Sequence, residues 1–359
     1  MSVDFTKNRE FIQNLTVYGL SHAAIDASCA AVAFSLLSSK SITNEYFIQL
    51  VVIYNVIAFG SQTLFGLLVD KYRCPKLSAI SGSIITASAI LVSFLLPLYA
   101  IILAGIGNAL FHVGGGIISL NLTKNKASAP GIFVAPGALG LLIGTLYGKS
   151  GYFTGWPLLI IIAILCTHMY YTKYPEINYK TEEKINTNYF ESIILMLLMA
   201  IVARSVIGSV VVFPWKSDIF LLVTLTSAIV LGKAFGGIIG DKYGWQKVGV
   251  ISLLISAPLL TFGAAIPGAS ILGMFLFNFT MPITLVAISN ILPGRPGFSF
   301  GLTTLALIIG FLPIYADTGS FLSQSFSVFV IIISSSIVLY YALFLYSKKN
   351  KWIKKEGYR

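Results

Sequence analysis

The chain is a succession of long apolar runs broken by short polar stretches. A membrane core needs about 20 apolar residues per helix. Twelve runs meet that length: 11–37, 45–69, 77–96, 98–121, 128–148, 155–172, 189–213, 218–240, 247–266, 269–291, 297–316 and 325–347. Their connections are short except at 173–188, "KYPEINYKTEEKINTN", a polar stretch at the midpoint that reads as a cytoplasmic linker. The pattern predicts an all-α integral membrane protein. Twelve transmembrane helices form two pseudo-symmetric six-helix bundles, an N-terminal one over 1–172 and a C-terminal one over 189–359 that ends in a basic tail.

Composition supports this class. Of the residues, 56% are hydrophobic and 10% charged, with a mean hydropathy of +0.86. Soluble domains carry about 25% charged residues, so there is too little polar surface here to cover a globule in water. The opening "MSVDFTKNRE" is polar and no small-residue cleavage site follows, so the first apolar run is expected to be a mature helix. Cys29, Cys74 and Cys166 are scattered and fit no zinc, redox or disulfide spacing. Asn14, Asn121 and Asn278 stand in Asn-x-Ser/Thr triplets within or beside apolar runs and read as chance matches.

The placement of charge orients the helices. With twelve spans both termini share one side, and nineteen of the 24 basic residues then lie at the termini or in the even-to-odd loops. Lys40, Lys149 and Lys216 lie opposite. The positive-inside rule puts the termini and the linker in the cytoplasm. The net charge of +11 is thereby an orientation signal in a cell or inner membrane, and it calls for no nucleic acid.

The two halves echo each other. "GLLVDKY" (66–72) matches "GIIGDKY" (237–243), "NALFH" (108–112) matches "NFTMP" (278–282) through its asparagine, and "PGIF" (130–133) matches "PGFSF" (296–300). The matches keep the same order at nearly one offset. Duplicated six-helix halves are a transporter architecture, with the substrate site near the midplane. "GLLVDKYRCPK" and "GGIIGDKYGWQK" resemble the Gly-x-x-x-Asp-Arg/Lys-x-Gly-Arg/Lys loop motif of the major facilitator superfamily, in its expected places after spans 2 and 8. The first copy departs from it, with Arg73 for the usual glycine and Cys74 for a basic residue; the second keeps Gly244. "HAAIDASCAA" and "GIGNALFHVGGG" (105–116) further resemble the fosmidomycin-resistance-type drug exporters of that superfamily. "VAPGALGLLIG" (134–144) partly resembles its antiporter motif, with the Gly-Pro order inverted.

Ionisable residues inside a membrane mark function by default, since a charge at a helix centre costs about 2.5–3.5 kcal/mol on insertion scales. Asp26, in span 1, can be neutralised by a proton and leads as the coupling residue; the other reading is a structural acid bonded to neighbouring helices. His22 shares its helix face and can relay that proton. Arg204, in span 7, lies at nearly the same depth and either pairs with Asp26 or holds an anionic substrate. The resemblance implies that spans 1 and 7 line a central cavity. Asn108 and His112 are one turn apart in span 4, where His112 either shares the proton, binds substrate or is a packed core histidine. Lys233, in span 8, either faces the cavity or snorkels to the interface.

The resemblance assigns gating to Gly66, Asp70 and Lys71 and to Gly237, Asp241 and Lys242. An acid at a helix end can face the positive amino end of another helix. Span 11 begins beside Arg295 at "GRPGF", and span 5 begins at "ASAPGIF". The other reading of both acids is a simple loop turn. No Walker A sequence, HExxH or comparable metal motif occurs, which disfavours ATP-driven transport and metalloenzyme chemistry.

The sequence thus predicts a secondary active transporter and no enzyme, with no cofactor and no metal, driven by a proton gradient. Its expected partners are a small-molecule substrate and the lipid bilayer, and it is expected to act as a monomer. Proton-coupled export of an anionic or zwitterionic molecule is favoured. A proton-coupled importer of an organic anion and a receptor or scaffold on a transporter fold are the alternatives.

Overall fold

The computed structural model describes residues 5–38, 43–180, 189–315 and 318–356. Lys40, residues 181–188 of the linker with Lys184, and residues 357–359 of the tail lie outside the described residues. Among the described residues there is no strand. Twelve helical segments follow the twelve apolar runs: α1 Phe5–Ser35, α2 Asn44–Tyr72, α3 Pro75–Val92, α4 Pro97–Leu122, α5 Ser128–Lys149, α6 Trp156–Tyr171, α7 Phe190–Val210, α8 Ile219–Tyr243, α9 Trp245–Thr261, α10 Pro267–Ile291, α11 Pro296–Phe311 and α12 Ser325–Glu356.

Nine of these, among the described residues, are long and apolar enough to cross a membrane, and α6, α9 and α11 are shorter apolar helices. At about 1.5 Å per residue a 16-residue helix spans about 24 Å, short of a core of about 30 Å. α11 is extended by a 3-10 segment over Leu312–Tyr315. Proline opens α3, α4, α10 and α11, where its missing N–H has no helical partner to lose. Thr43 and Asp218 cap α2 and α8 by accepting from Tyr46 N–H at 3.2 Å and Leu221 N–H at 3.0 Å.

Two predicted continuous helices are interrupted. α2 passes through a π-helical turn over Val56–Gly60. α10 breaks at Asn278–Phe279. Pro282 lacks the N–H that the Asn278 carbonyl would take in a regular helix. The N–H of Met281 donates to that carbonyl instead, at 3.2 Å, and tightens the turn.

The chain forms two compact units. The first takes Met1–Lys124, Ile132–Tyr179 and Arg295–Leu305; the second takes Asn125–Gly131, Lys180–Gly294 and Ala306–Arg359. The division at Tyr179 falls inside the predicted linker. Two short segments, the entry to α5 and the first turns of α11, each group with the unit that the sequence assigned to the other half.

In the first unit, glycines let backbones touch. A Cβ at Gly107 would meet the Gly82 carbonyl oxygen at 2.7 Å, and one at Gly114 would meet Ala79 N at 2.6 Å, so α3 and α4 lie backbone to backbone. Along α5, Gly140, Gly144 and Gly148 face Ala23, Ala27 and Ala31 of α1, where added Cβ atoms would collide with the carbonyl oxygens of those alanines. "VAPGALGLLIG" supplies Gly140 and Gly144 of this stripe, which holds α1 against α5 where the polar residues of α1 lie. The second unit has a branched aliphatic core that includes Leu197, Ile201, Leu253, Ile283, Ile332 and Leu339.

Candidate functional site

Four polar residues converge inside the first unit, two from α1 and two from α4. Helical spacing stacks His22 over Asp26 on one face of α1, and their Nε2 and Oδ2 atoms are 3.2 Å apart. The same spacing stacks Asn108 over His112 on α4, and His112 Nδ1 lies 2.8 Å from the Asn108 carbonyl oxygen. The pairs then meet. His112 Nε2 is 2.9 Å from His22 Nε2 and 3.6 Å from Asp26 Oδ1. The Asn108 amide donates to Asp26 Oδ1 at 3.0 Å. His22 Nδ1 lies 2.9 Å from the Phe133 carbonyl oxygen on α5.

These bonds assign the tautomers. A carbonyl oxygen only accepts, so both Nδ1 atoms carry hydrogen. In the neutral rings both Nε2 atoms then hold lone pairs, aimed at each other and at a carboxylate. Lone pairs at 2.9 Å repel unless a positive species lies among them. A cation placed among the three would relieve that repulsion, and a proton is the simplest.

Packing fixes the rings. His22 stands edge-on to His112 with ring centroids 4.4 Å apart, and Phe133 and Phe111 flank it at 4.9 and 6.3 Å. The side chains of His22 and His112 are 6% and 9% exposed, against 21% for Asp26, so the carboxylate is the open side of the cluster. Pro136 lies inside α5, where its missing N–H loosens the backbone beside the Phe133 carbonyl. Gly137 permits the close approach: a Cβ there would stand 2.6 Å from Asp26 Oδ2 and against His22 Nε2.

Arg204 belongs to the second unit, half-buried on α7, with Nη1 3.5 Å from Thr284 Oγ1 of α10. Within its own unit the Asp26 carboxylate has His22, His112 and Asn108 around it. Lys233 is half-buried on α8, with its carbonyl against Gly131.

The two loop acids have matching surroundings. Asp70 accepts from Gly297 N–H at 2.8 Å and Phe298 N–H at 2.9 Å, both at the start of α11. Asp241 accepts from Ala127 N–H at 2.8 Å and Ser128 N–H at 2.9 Å, at the start of α5, and from Trp245 Nε1–H at 2.9 Å. Each acid occupies the free N–H groups at a helix start, where the partial positive charge favours it. Gly66 and Gly237 make room: a Cβ would collide with the backbone of Gly297 at the first and of Ala127 at the second. Lys71 and Lys242 are exposed and lie over the rings of Tyr72 and Tyr243, at 5.6 and 5.1 Å. Arg295 is exposed, and its carbonyl accepts from Ser299 N–H at 3.0 Å.

Arg73 has φ 55°, the left-handed conformation that the motif's usual glycine adopts without cost. Its guanidinium lies 5.7 Å from the ring of Tyr179. Gly244, at the matching place, has φ 98°.

Three members of the site are not singled out by the sequence: the Phe133 carbonyl, Gly137 and Cys29. Cys29 lies 3.9 Å from the Asn108 amide. The only signal for Gly137 is its place in the glycine-rich run of α5; a carbonyl contact leaves none.

No protein-family model matches the chain, and no curated protein does. Solved structures do. The Escherichia coli fucose:proton symporter FucP matches with a TM-score of 0.70 at 12% identity, over 93% of this chain and 98% of that one. The human organic anion transporter MFSD10 (TETRAN) matches with a TM-score of 0.67 at 13% identity, over 94% and 99%. A bacterial homologue of the iron transporter ferroportin matches with a TM-score of 0.64 at 14% identity, over 95% and 99%. FucP is a major facilitator superfamily transporter. The chain therefore has the major facilitator fold and is an integral membrane protein.

Proposed function

We propose that this chain is a proton-coupled secondary active transporter of the major facilitator superfamily. It works by alternating access, is not an enzyme, and exports a small anionic or zwitterionic organic molecule. The observation that carries the reading is the meeting of His22 and His112 Nε2 atoms beside Asp26, buried in a membrane helix bundle. A carboxylate there costs about 2.5–3.5 kcal/mol if left charged and alone. A proton shared among the three side chains offsets that cost, and its loss restores it. This gives the two protonation states a free-energy difference large enough to bias a conformational equilibrium.

Each part of the cluster then has a role. Asp26 balances the positive charge, His22 and His112 hold and pass the proton, and Asn108 positions the carboxylate. Arg204 and Lys233 are the basic groups offered to an anionic substrate. Asp70 and Asp241, seated on helix starts, bias one of the two access states, and the energy source is the proton gradient. The basic residues orient both termini to the cytoplasm of a cell or inner membrane. Export draws support from the resemblance of the His22–Asp26 and Asn108–His112 segments to the fosmidomycin-resistance-type exporters. The proton symporter and the organic anion transporter among the fold neighbours suit proton coupling and an anionic substrate, and the symporter favours import as the second reading.

Counterflow in proteoliposomes, with a pH gradient imposed in either direction and a panel of organic anions and phosphonates, tests this function. Accumulation driven by an inward-acid gradient in one orientation only separates symport from antiport. No counterflow of any of these compounds by folded protein would leave the scaffold reading in its place.

A further inference from the structure

The cation that the cluster accommodates need not be a proton. We propose that His22, Asp26 and His112, assisted by Asn108, form a binding site for one divalent transition-metal ion of the zinc, cobalt and nickel class. The inference goes beyond the transport reading and stands on geometry alone.

The donor set is two imidazole nitrogens and a carboxylate, and the three ligand atoms lie within 4.8 Å of one another. For metal–nitrogen bonds of about 2.0–2.1 Å, two nitrogens on one ion stand about 2.9 Å apart at a right angle and about 3.4 Å apart at the tetrahedral angle. The observed separations are 2.9 Å between the two Nε2 atoms, 3.2 Å from His22 to the carboxylate and 3.6 Å from His112 to it. All three fall near that range, so an ion can be seated by shifts of a few tenths of an ångström. A hydrogen lies between two atoms; an ion engages all three.

The surroundings match what a metal requires of its ligands. A histidine that binds through Nε2 ordinarily donates its Nδ1–H to a carbonyl or carboxylate, which fixes the ring and raises its basicity. Here both rings do so, His22 to the Phe133 carbonyl and His112 to the Asn108 carbonyl. Asn108 Oδ1 is buried and has no hydrogen-bond partner among the described residues, which leaves an oxygen donor beside the set. The partial exposure of Asp26 provides the entry side. Two nitrogen ligands favour borderline ions over magnesium and calcium, which take oxygen ligands. Proton and metal are then alternative occupants of one place.

The test uses the full chain, purified in detergent, with any affinity tag removed and metals stripped. Co2+ is titrated and followed by its absorption, with Zn2+ and Mg2+ as competitors. Uptake of one Co2+ per chain is expected, displaced by Zn2+ and indifferent to excess Mg2+. His22→Gln and His112→Gln should each weaken binding at least tenfold, and His168→Gln, which removes the exposed histidine of α6, should leave it unchanged. Apparent unfolding midpoints, read with and without Zn2+, show that each variant is folded; if one is not, the other carries the comparison. Folded wild type that takes up no Co2+ overturns the proposal. So does uptake that survives in His112→Gln or disappears in His168→Gln. Because binding is read without transport, failure here leaves the transporter reading intact, and failure of counterflow leaves this inference intact.

Discussion

His22 and His112 face each other Nε2 to Nε2 across 2.9 Å, each with Nδ1 turned to a backbone carbonyl. Neither ring can relieve the contact by a tautomer switch without abandoning its carbonyl. A buried donor or acceptor left unpaired costs about 1–3 kcal/mol. On the proposed reading, gain or loss of one cation there would change how α1 and α4 are held together.

Asp26→Asn should keep substrate exchange and lose proton-driven accumulation. The amide preserves the size of the side chain but removes the negative charge that balances a proton on either ring. Counterflow and gradient-driven uptake, measured on the same proteoliposomes, separate the two properties. A variant that still concentrates substrate with unchanged pH dependence would show that coupling lies elsewhere.

Gly137→Ala should damage the site from the neighbouring helix. The added methyl stands against His22 and Asp26, and overpacking of this kind costs about 1–3 kcal/mol. Transport should fall sharply and the apparent unfolding midpoint should drop. Gly208→Ala on α7, where a Cβ meets nothing within 4 Å, is the matched control and should change neither. Equal behaviour of the two variants would contradict the close packing of α5 on α1 at Gly137.

Asp70→Asn should loosen the start of α11. Asparagine offers one accepting oxygen where the carboxylate offers two, and it loses the charge that the helix start favours, about 0.3–1 kcal/mol at exposed sites and up to about 2 when partly buried. With Cys29, Cys74 and Cys166 replaced, a reporter at Ser299→Cys, buried in the parent, should be alkylated faster in the Asp70→Asn background. An unchanged rate together with intact transport would reduce Asp70 to a turn residue.

Arg73 sets two effects against each other. A non-glycine residue in the left-handed region costs about 1–2 kcal/mol, and an exposed guanidinium over the half-buried Tyr179 ring returns about 0.5–1 kcal/mol. Arg73→Ala keeps the strain and loses the Tyr179 contact, so it should be less stable than the parent. Arg73→Gly removes the strain and should exceed the alanine variant by about 1 kcal/mol once the greater freedom of glycine in the unfolded chain is allowed for. Detergent unfolding curves of the three proteins decide this, and an alanine variant as stable as the glycine one would mean the strain is absent.

The sequence by itself determined the membrane class, the twelve helical segments and the ends of most of them. These depend on local quantities: the length of an apolar run, a proline at its start, a capping residue before it. The stacking of His22 on Asp26 and of Asn108 on His112 was legible for the same reason, since four-residue spacing fixes a shared helix face. The loop acids were legible as acids at helix ends. What the sequence could not supply was the partner across the bundle. His22 meets His112 at a separation of 90 residues, Asp26 meets Asn108 at 82, and His22 meets the Phe133 carbonyl at 111. Depth in the membrane can be counted along a helix; rotation about the helix axis and the choice of neighbour cannot. Those were decided by the glycine stripe of α5 on the alanines of α1 and by the space left at Gly137. Only in that packing do two ordinary histidines and an aspartate become one cluster.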